Sequence, residues 1–362
     1  MRIALLTDGL WPDTIGGMQK HSFYLAKYLA LNGHYVDVYY CANDPAIVIK
    51  QLSFDETLNI KFFKVDFPRF KFKFPGHYII NSYKFSKRIF KKYKEQPIYD
   101  FIYAQGFTGW YFAKKGISIG SNLHGLEMFQ LAFGFNAKLT QKLLQIPAKK
   151  IIRKSTLNFS LGGKLTHILK QQGARKIAET PIGIDEKWLN KSEKINDTIQ
   201  FIFIGRNEKR KALDIIFAAI QKMSNQNFGF HFIGIEKPEN LSKTNLYFHG
   251  EIKDAEKIKL LLNQADVLVC PSLAEGMPTV ILEAMAQSLP IIATDTGATS
   301  LLVDNNNGQL IDTNSVSALV DAMNFFIILP HIELLKLKLN AFEKVKQHFT
   351  WETSIQTTLK VI

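Results

Sequence analysis

Ala265-Asp266-Val267-Leu268-Val269-Cys270-Pro271-Ser272-Leu273-Ala274-Glu275-Gly276-Met277-Pro278-Thr279-Val280-Ile281-Leu282-Glu283-Ala284-Met285-Ala286-Gln287 decides how this chain reads. Its first part is a short apolar strand closed by Pro271. Ala284 to Gln287 have strong helix propensity. Pro278 and Thr279 sit where a first helical turn begins, since a proline there gives up an N–H that has no partner anyway. The unit is strand, loop, helix, with Glu275 on the loop and Glu283 about one turn into the helix. Eight residues of helix span roughly 12 Å, so the two carboxylates do not grip one atom. They suit the two ends of one elongated ligand, with an anionic group between them on the free amides of the helix start. A nucleoside-diphosphate sugar has that shape: hydroxyls, pyrophosphate, hydroxyls. The alternative is a surface helix whose two glutamates are merely solvated.

The alternation continues on both sides of this stretch. Strands over 199–204, 230–235, 246–248, 266–270 and 290–293 are interleaved with helices over 211–223, 254–264, 278–287 and 315–327. That pattern predicts a parallel sheet covered by helices on both faces, with ligands at the carboxyl ends of its strands. The first half opens similarly, with a strand over 3–7, a loop over 8–17, a helix over 18–32 and a strand over 36–40. Further strands are expected over 100–104, 117–125 and 157–160, and 126–154 reads as helical and basic. A chain of 362 residues suits two domains of about 150–200 residues each, and the linker is placed across roughly 185–198. Met1-Arg2 runs into the first strand, not into a signal-peptide apolar region. No stretch approaches the roughly 20 apolar residues of a membrane span. Cys41 and Cys270 have neither metal nor disulfide spacing, so reduced thiols in a cytoplasmic protein are expected.

Pro271-Ser272, Glu275-Gly276, Pro278, Glu283-Ala284-Met285-Ala286 and Pro290-Ile291-Ile292-Ala293-Thr294 together resemble the donor-site motif of GT-B glycosyltransferases, specifically glycosyltransferase family 4 of the group 1 type. The resemblance is strongest over 199–312, good over 1–40 and 121–185, and absent over 41–100. It implies an α/β fold of two Rossmann-like domains facing a central cleft. Residues 1–185 would bind the acceptor and 186–344 the nucleotide-sugar. A final helix, about 345–362 and including Phe349-Thr350-Trp351-Glu352, would cross back to the first domain. The implied activity is that of a retaining hexosyltransferase.

Gly205-Arg206-Asn207-Glu208-Lys209-Arg210-Lys211 follows strand 199–204, and the resemblance implies that Arg206 and Lys211 hold the diphosphate, with Asp214 also fitting. Ala212 departs from the family pattern, which usually has glycine there. Breaking the sugar–phosphate bond accumulates negative charge on the departing diphosphate, and fixed cations in a water-poor site lower that barrier. Arginine offers a planar fork and lysine a point charge. The resemblance further implies that Glu275 contacts donor-sugar hydroxyls and Glu283 the ribose. The amides of Gly276, Met277 and Thr279 assist, while Pro278 completes the motif without one. Gly16-Gly17 permits close approach of a phosphate to the backbone. Asp8-Gly9, Pro12 and Gly16-Gly17 resemble the family's opening loop, and they do not match the Gly-x-Gly-x-x-Gly pattern of dehydrogenases. His124, in His124-Gly125-Leu126-Glu127, matches a histidine that sits beside the donor sugar, with Glu127 a lesser candidate. The candidate catalytic set is therefore His124, Glu275, Arg206 and Lys211. No Asp-x-Asp occurs in the chain. Glycosyltransferases that hold a divalent metal on the diphosphate use such paired carboxylates, so a metal-independent enzyme without a cofactor is expected.

The net charge of +13 is unevenly spread: residues 1–180 carry 27 Lys and Arg against 11 Asp and Glu, whereas 181–362 carry 18 against 21. Within 61–94 eleven basic residues face one acid, Asp66. Arg69 to Phe74 alternates basic with aromatic. On a helical wheel Tyr78, Ile79, Tyr83, Phe85, Ile89, Phe90 and Tyr93 share one arc, opposite Lys84, Lys87, Arg88, Lys91, Lys92 and Lys94. This pattern predicts an interfacial helix on an anionic membrane, or else a core helix with a solvated basic face. No nucleic-acid motif accompanies the charge. The expected partners are a nucleotide-sugar donor, a glycan or lipid-linked acceptor as in surface-polysaccharide or lipopolysaccharide assembly, and the inner face of the membrane. The rival readings are a nucleotide-sugar epimerase of the same fold and a non-catalytic sugar-nucleotide-binding protein.

Overall fold

The computed structural model describes all of residues 1–362 except 53–56, 58, 69–75, 226 and 239–244, together with the side chain of Phe135. Met1–Ile182 with Ser354–Ile362 make one compact unit, and Gly183–Thr353 make the other.

The first unit is built on strands β1 (Arg2–Leu6), β2 (Tyr35–Tyr40), β3 (Ile60–Lys64), β4 (Phe101–Gln105), β5 (Gly120–Asn122), β6 (Leu157–Ser160) and β7 (Ile177–Glu179). They pair in the order β3-β2-β1-β4-β5-β6-β7, every pair parallel. Because side chains alternate along a strand, Ile3 and Leu5 enter one apolar cluster while Ala4 and Leu6 enter another on the opposite face. A strand buried on both faces reads as a continuous apolar run, as Ile3-Ala4-Leu5-Leu6 does. Asp37 interrupts the run in β2 and is buried, held by Arg2 Nη2 at 2.6 Å and the Tyr99 hydroxyl at 2.6 Å. In the C-terminal stretch, Ile355 enters the first of these clusters and Ser354 Oγ donates to Pro181 O at 2.6 Å.

The basic segment 61–94 departs from the lipid-inserting reading. Lys61 to Lys64 lie in β3 and pair with β2, so the segment begins as sheet. The helix His77–Tyr93 buries Phe85 and Ile89 completely in the core, with Phe90 and Tyr93 packed against the same cluster. Phe85 and Ile89 are therefore committed to the protein interior, while Tyr78 at the start of the helix stays 43% exposed. Lys84, Lys87, Arg88 and Lys91 are exposed. Lys92 is half-buried and donates to Lys64 O at 2.9 Å. The Arg69 to Phe74 alternation lies wholly outside the described residues.

The second unit repeats the topology with β8 (Ile199–Ile204), β9 (Phe228–Ile233), β10 (Leu246–Phe248), β11 (Val267–Cys270), β12 (Ile291–Thr294) and β13 (Gly308–Ile311), in the order β10-β9-β8-β11-β12-β13. Phe201, Phe203, Phe230, Phe232, Val267 and Val269 bury one face of this sheet against Ile216, Ile220, Leu319, Met323 and Phe326 from the covering helices Leu213–Lys222 and Val316–Ile328. In each sheet the order reverses once, beside β1 and beside β8. Open parallel sheets bind ligands outside the carboxyl ends of strands at such a reversal.

Candidate functional site

In the second unit the site grows from the ends of β8 and β11. Gly205 leaves β8 hydrogen-bonded to Ile233 O at 3.0 Å. A Cβ there would meet the Phe203 ring at 2.9 Å, so the close turn after the strand suits glycine. A 3-10 turn, Lys209–Lys211, follows. It ends on buried Ala212 at φ 53, the left-handed region favoured by glycine. Ala212 thus takes a path natural to a glycine at a strain on the order of 1 kcal/mol.

Leu273 N–H donates to Arg210 O at 2.7 Å, fastening this turn to the loop after β11. Across the junction Lys211 Nζ lies 2.6 Å from Glu275 Oε1 and Arg210 Nη1 lies 3.2 Å from Glu275 Oε2. The side chains of Lys211 and Glu275 are only 11% and 8% exposed. Arg210 Nε also meets Glu208 Oε2 at 2.7 Å, and Glu208 Oε1 meets Arg206 Nη2 at 2.8 Å. Arg206 itself is 81% exposed. Of the two expected cations, Lys211 is therefore built into the site and Arg206 reaches into solvent. Arg210, which sequence reasoning passed over, takes the second oxygen of Glu275. Three basic residues in a row carry no signal to separate them. The tight turn does so by sending Arg210 and Lys211 together toward Glu275. The two cations balance the charge of Glu275, one on each carboxylate oxygen.

Pro278 is extended (φ −71, ψ 106) and caps the helix Thr279–Ala286 from outside, so the helix begins one position later than expected. Glu283 is buried on that helix, and Met277 is buried beside its start. The loop carrying Glu275 is buttressed from behind: Ala298 N–H donates to Gly276 O at 2.8 Å, and Gly297 at φ 56 packs against the carbonyls of Glu275 and Gly276.

In the first unit Gly16 and Gly17 open the helix Gly17–Leu31, which has no side-chain cap. A Cβ at Gly17 would meet nothing within 4 Å. His124 follows β5 with φ 55, its backbone N–H held by Asn122 Oδ1 at 2.8 Å. Its Nε2 contacts Gln105 Oε1 at 2.5 Å, and Gln105 Nε2 contacts His21 Nδ1 at 2.9 Å. As Gln105 is placed, it holds His124 protonated on Nε2 and leaves Nδ1 bare. Burial, and then the neighbouring His21, push the His124 pKa well below its ordinary value, and burial takes His21 down to about 3. His124 is therefore a neutral imidazole near pH 7, suited to a hydroxyl or carbonyl partner. Countercharge for a diphosphate has to come from other residues. Gln105 and His21 were invisible to motif reading because a buried glutamine at a strand end has no local signature.

Two Rossmann-like units, each an open parallel sheet with one reversal of strand order, have the architecture of the GT-B class. A model described as Glycosyltransferase Family 4 matches residues 15–188, and one described as Glycosyl transferases group 1 matches residues 198–327. The chain belongs to this family. It is 27% identical over 305 residues to an uncharacterised glycosyltransferase of Methanocaldococcus jannaschii, covering 80% of this chain and 81% of that protein. It is 27% identical over 166 residues to the amylovoran biosynthesis glycosyltransferase AmsK of Erwinia amylovora, covering 40% of each. Further curated relatives, among them putative colanic acid and teichuronic acid biosynthesis glycosyltransferases, are matched over about half of their length or less. Among solved structures, the Anabaena protein HepE in complex with UDP-glucose is 18% identical and superposes with a TM-score of 0.69, covering 100% of both chains.

Proposed function

We propose that this protein transfers a hexose from a nucleoside-diphosphate sugar to a glycan or lipid-linked acceptor in the assembly of a surface polysaccharide or lipopolysaccharide, with retention at the anomeric carbon and without a metal. The buried contact between Lys211 and Glu275 carries this reading. On this reading Lys211 is the cation for the departing diphosphate and Glu275 the carboxylate for the sugar hydroxyls, 2.6 Å apart. In the transfer the C1–O bond to the diphosphate breaks with its electron pair leaving on the phosphate oxygen. The acceptor oxygen bonds to C1, and the acceptor proton is released to that leaving oxygen. Charge grows on the diphosphate through this step, and Lys211, with Arg206 and Arg210 nearby in the turn, stabilises it without reorganisation. Glu283 would hold the ribose, and Gly16, Gly17 and His124 the donor from the first unit. Support for the acceptor class comes from AmsK, named for amylovoran biosynthesis. Support for a UDP-sugar donor comes from the complex of HepE with UDP-glucose.

The test is thermal stabilisation of purified protein by a panel of sugar nucleotides, beginning with UDP-hexoses, in the presence of EDTA. A true donor at a hundredfold excess over Kd adds about 2.7 kcal/mol, a rise of several degrees in a unit of this size. Stabilisation and transfer should both survive EDTA. Activity lost in EDTA and restored by Mn²⁺ defeats the metal-free part. Release of an epimerised sugar nucleotide without any acceptor defeats transfer itself.

We also propose that the protein sits peripherally on the cytoplasmic face of an anionic membrane through charge alone. Lys84, Lys87, Arg88 and Lys91 are exposed on one helix of the first unit, and Lys138, Lys142, Lys150, Arg153 and Lys154 on another, Phe135–Lys154. Each basic side chain near such a surface contributes about 1 kcal/mol, falling as salt screens it. Flotation with anionic liposomes should decline with salt and drop when Lys84, Lys87, Arg88 and Lys91 become Gln. Equal recovery with neutral liposomes, or none with either, sinks this location.

A further inference from the structure

We infer that a cavity at the carboxyl ends of β1 and β2 is a carbohydrate subsite, which takes a neutral hexopyranose unit of the acceptor. The inference rests on the glycosyltransferase reading and deepens it by giving the acceptor a place in the first unit. The cavity measures about 250 Å³ and is lined by Asp8, Thr14, Gln19, Cys41, Asn43 and Phe67, with Ala42 behind them. That is just below the roughly 300–1,000 Å³ of pockets for drug-sized ligands, and it suits a single sugar ring.

Its chemistry is that of sugar recognition. Asp8 accepts from Gln19 Nε2 at 2.7 Å and from its own backbone N–H, and no cation is paired with it among the described residues. A carboxylate has about four lone-pair sites, so vicinal ring hydroxyls can take the remainder. Burial raises the Asp8 pKa, which marks a carboxylate short of solvation. Hydroxyl donors from a ligand would supply that solvation, whereas an anionic sugar or phosphate would be repelled. The cavity also has one aromatic lining residue, Phe67. Phe67 is set against Phe85 of the core, centroids 4.9 Å apart. Tyr78 stacks on Phe67 at 6.4 Å and 26°. The Tyr78 phenol lies close enough to Asp8 that its pKa is pushed up to about 12, by burial first and then by that charge. The negative face of an aromatic ring attracts the slightly positive C–H face of a pyranose.

The cavity is preorganised. Asp13 accepts the backbone N–H groups of Asn43 at 3.0 Å and Asp44 at 2.8 Å, tying the loop after β2 to the loop after β1. Its position fits an extended acceptor. Asp8 follows β1 and His124 follows β5, with β4 between them in the sheet. Two strand spacings make about 10 Å, the reach of roughly two linked rings. The subsite would therefore read a sugar beyond the one that receives the new bond.

Cys41 lines this cavity while Cys270 is buried, so one thiol reports on occupancy. The test uses the full chain and the methyl glycosides of glucose, galactose, mannose and N-acetylglucosamine as probes, with Kd from NMR titration and maleimide modification of Cys41 followed by mass spectrometry. At least one glycoside is expected to bind in the millimolar range and to slow Cys41 modification in proportion to occupancy, while UDP does not. Asp8→Asn and Phe67→Ala should each weaken that glycoside at least tenfold while the circular dichroism spectrum and the thermal midpoint stay those of wild type, which shows that the variants are folded. No binding by any of the four, no protection of Cys41, or undiminished binding in both variants overturns the subsite. Failure of wild-type protein to bind any sugar nucleotide overturns the donor reading instead. Donor binding without glycoside binding removes the subsite alone.

Discussion

Lys211→Ala is expected to lower kcat/KM for sugar transfer about a thousandfold, the upper range for removing one fixed group that stabilises transition-state charge. That corresponds to roughly 4 kcal/mol. Two losses are folded together in this number, and they can be separated. Lys211 Nζ sits 2.6 Å from Glu275 Oε1 with both side chains nearly out of water. Deleting one partner of a buried pair leaves the other uncompensated, at about 3–5 kcal/mol of stability. Arg210, 3.2 Å from the other oxygen of Glu275, remains in the variant and should hold the loss to the lower end. Glu275→Gln is expected to destabilise less and to lower mainly kcat, because the sugar it holds is the part that changes charge. The double variant Lys211→Met, Glu275→Gln removes both charges, so it should recover most of the denaturation midpoint and none of the turnover. Glu283→Gln should act differently, raising KM for the donor, since a ribose contact is similar in ground and transition states. Lys211→Ala with kcat/KM within threefold of wild type would falsify the donor-site assignment.

Gly297→Ala should be nearly as damaging without touching any ligand. At φ 56 an alanine carries left-handed strain of roughly 1–2 kcal/mol, and its Cβ would land on the carbonyl oxygens of Glu275 and Gly276. Backbone cannot yield as the tip of a side chain can. The Glu275 loop has to move, and the 2.8 Å bond from Ala298 N–H to Gly276 O stretches with it. A displacement of about 1 Å in a catalytic group costs on the order of a hundredfold in rate. Gly116→Ala is the control, because Gly116 has φ 74 but nothing within 4 Å of the added carbon. It isolates the backbone strain, and the difference between the two variants in thermal midpoint reports the clash. If Gly297→Ala melts and turns over like Gly116→Ala, the buttress has no role in placing Glu275.

The strand, loop and helix around Glu275 were legible because every signal in them is local. The apolar run, Pro271, Gly276 and Pro278 restrict the backbone within a few residues of themselves, and β11 and the helix Thr279–Ala286 lie within two residues of where they were expected. Segment 61–94 was not legible in the same way. β3 is hidden among lysines because Lys61 and Lys64 are exposed while Phe63 faces the core, and a five-residue strand is recognised by the neighbour it pairs with. The helix His77–Tyr93 shows the limit more sharply. Its two arcs were read correctly, yet a periodic pattern says which side chains share a face and not what covers that face. The cover was the sheet, through Phe85 and Ile89, and not lipid.

The site divides along the same line. Sequence by itself determined the alternation of strands and helices and, through the resemblance of short motifs to the family's, the choice of Arg206, Lys211, Glu275, Glu283 and His124 as candidates. Tertiary structure alone decided that Arg210 rather than Arg206 lies on Glu275, that Ala212 adopts a glycine's conformation, and that Gln105 joins His21 to His124. Glu275 lies 65 residues from Arg210, and Gln105 lies 84 residues from His21. Contacts over such separations form only when parallel strands bring distant loops to one edge of a sheet, and no pattern within a few residues of either partner encodes them.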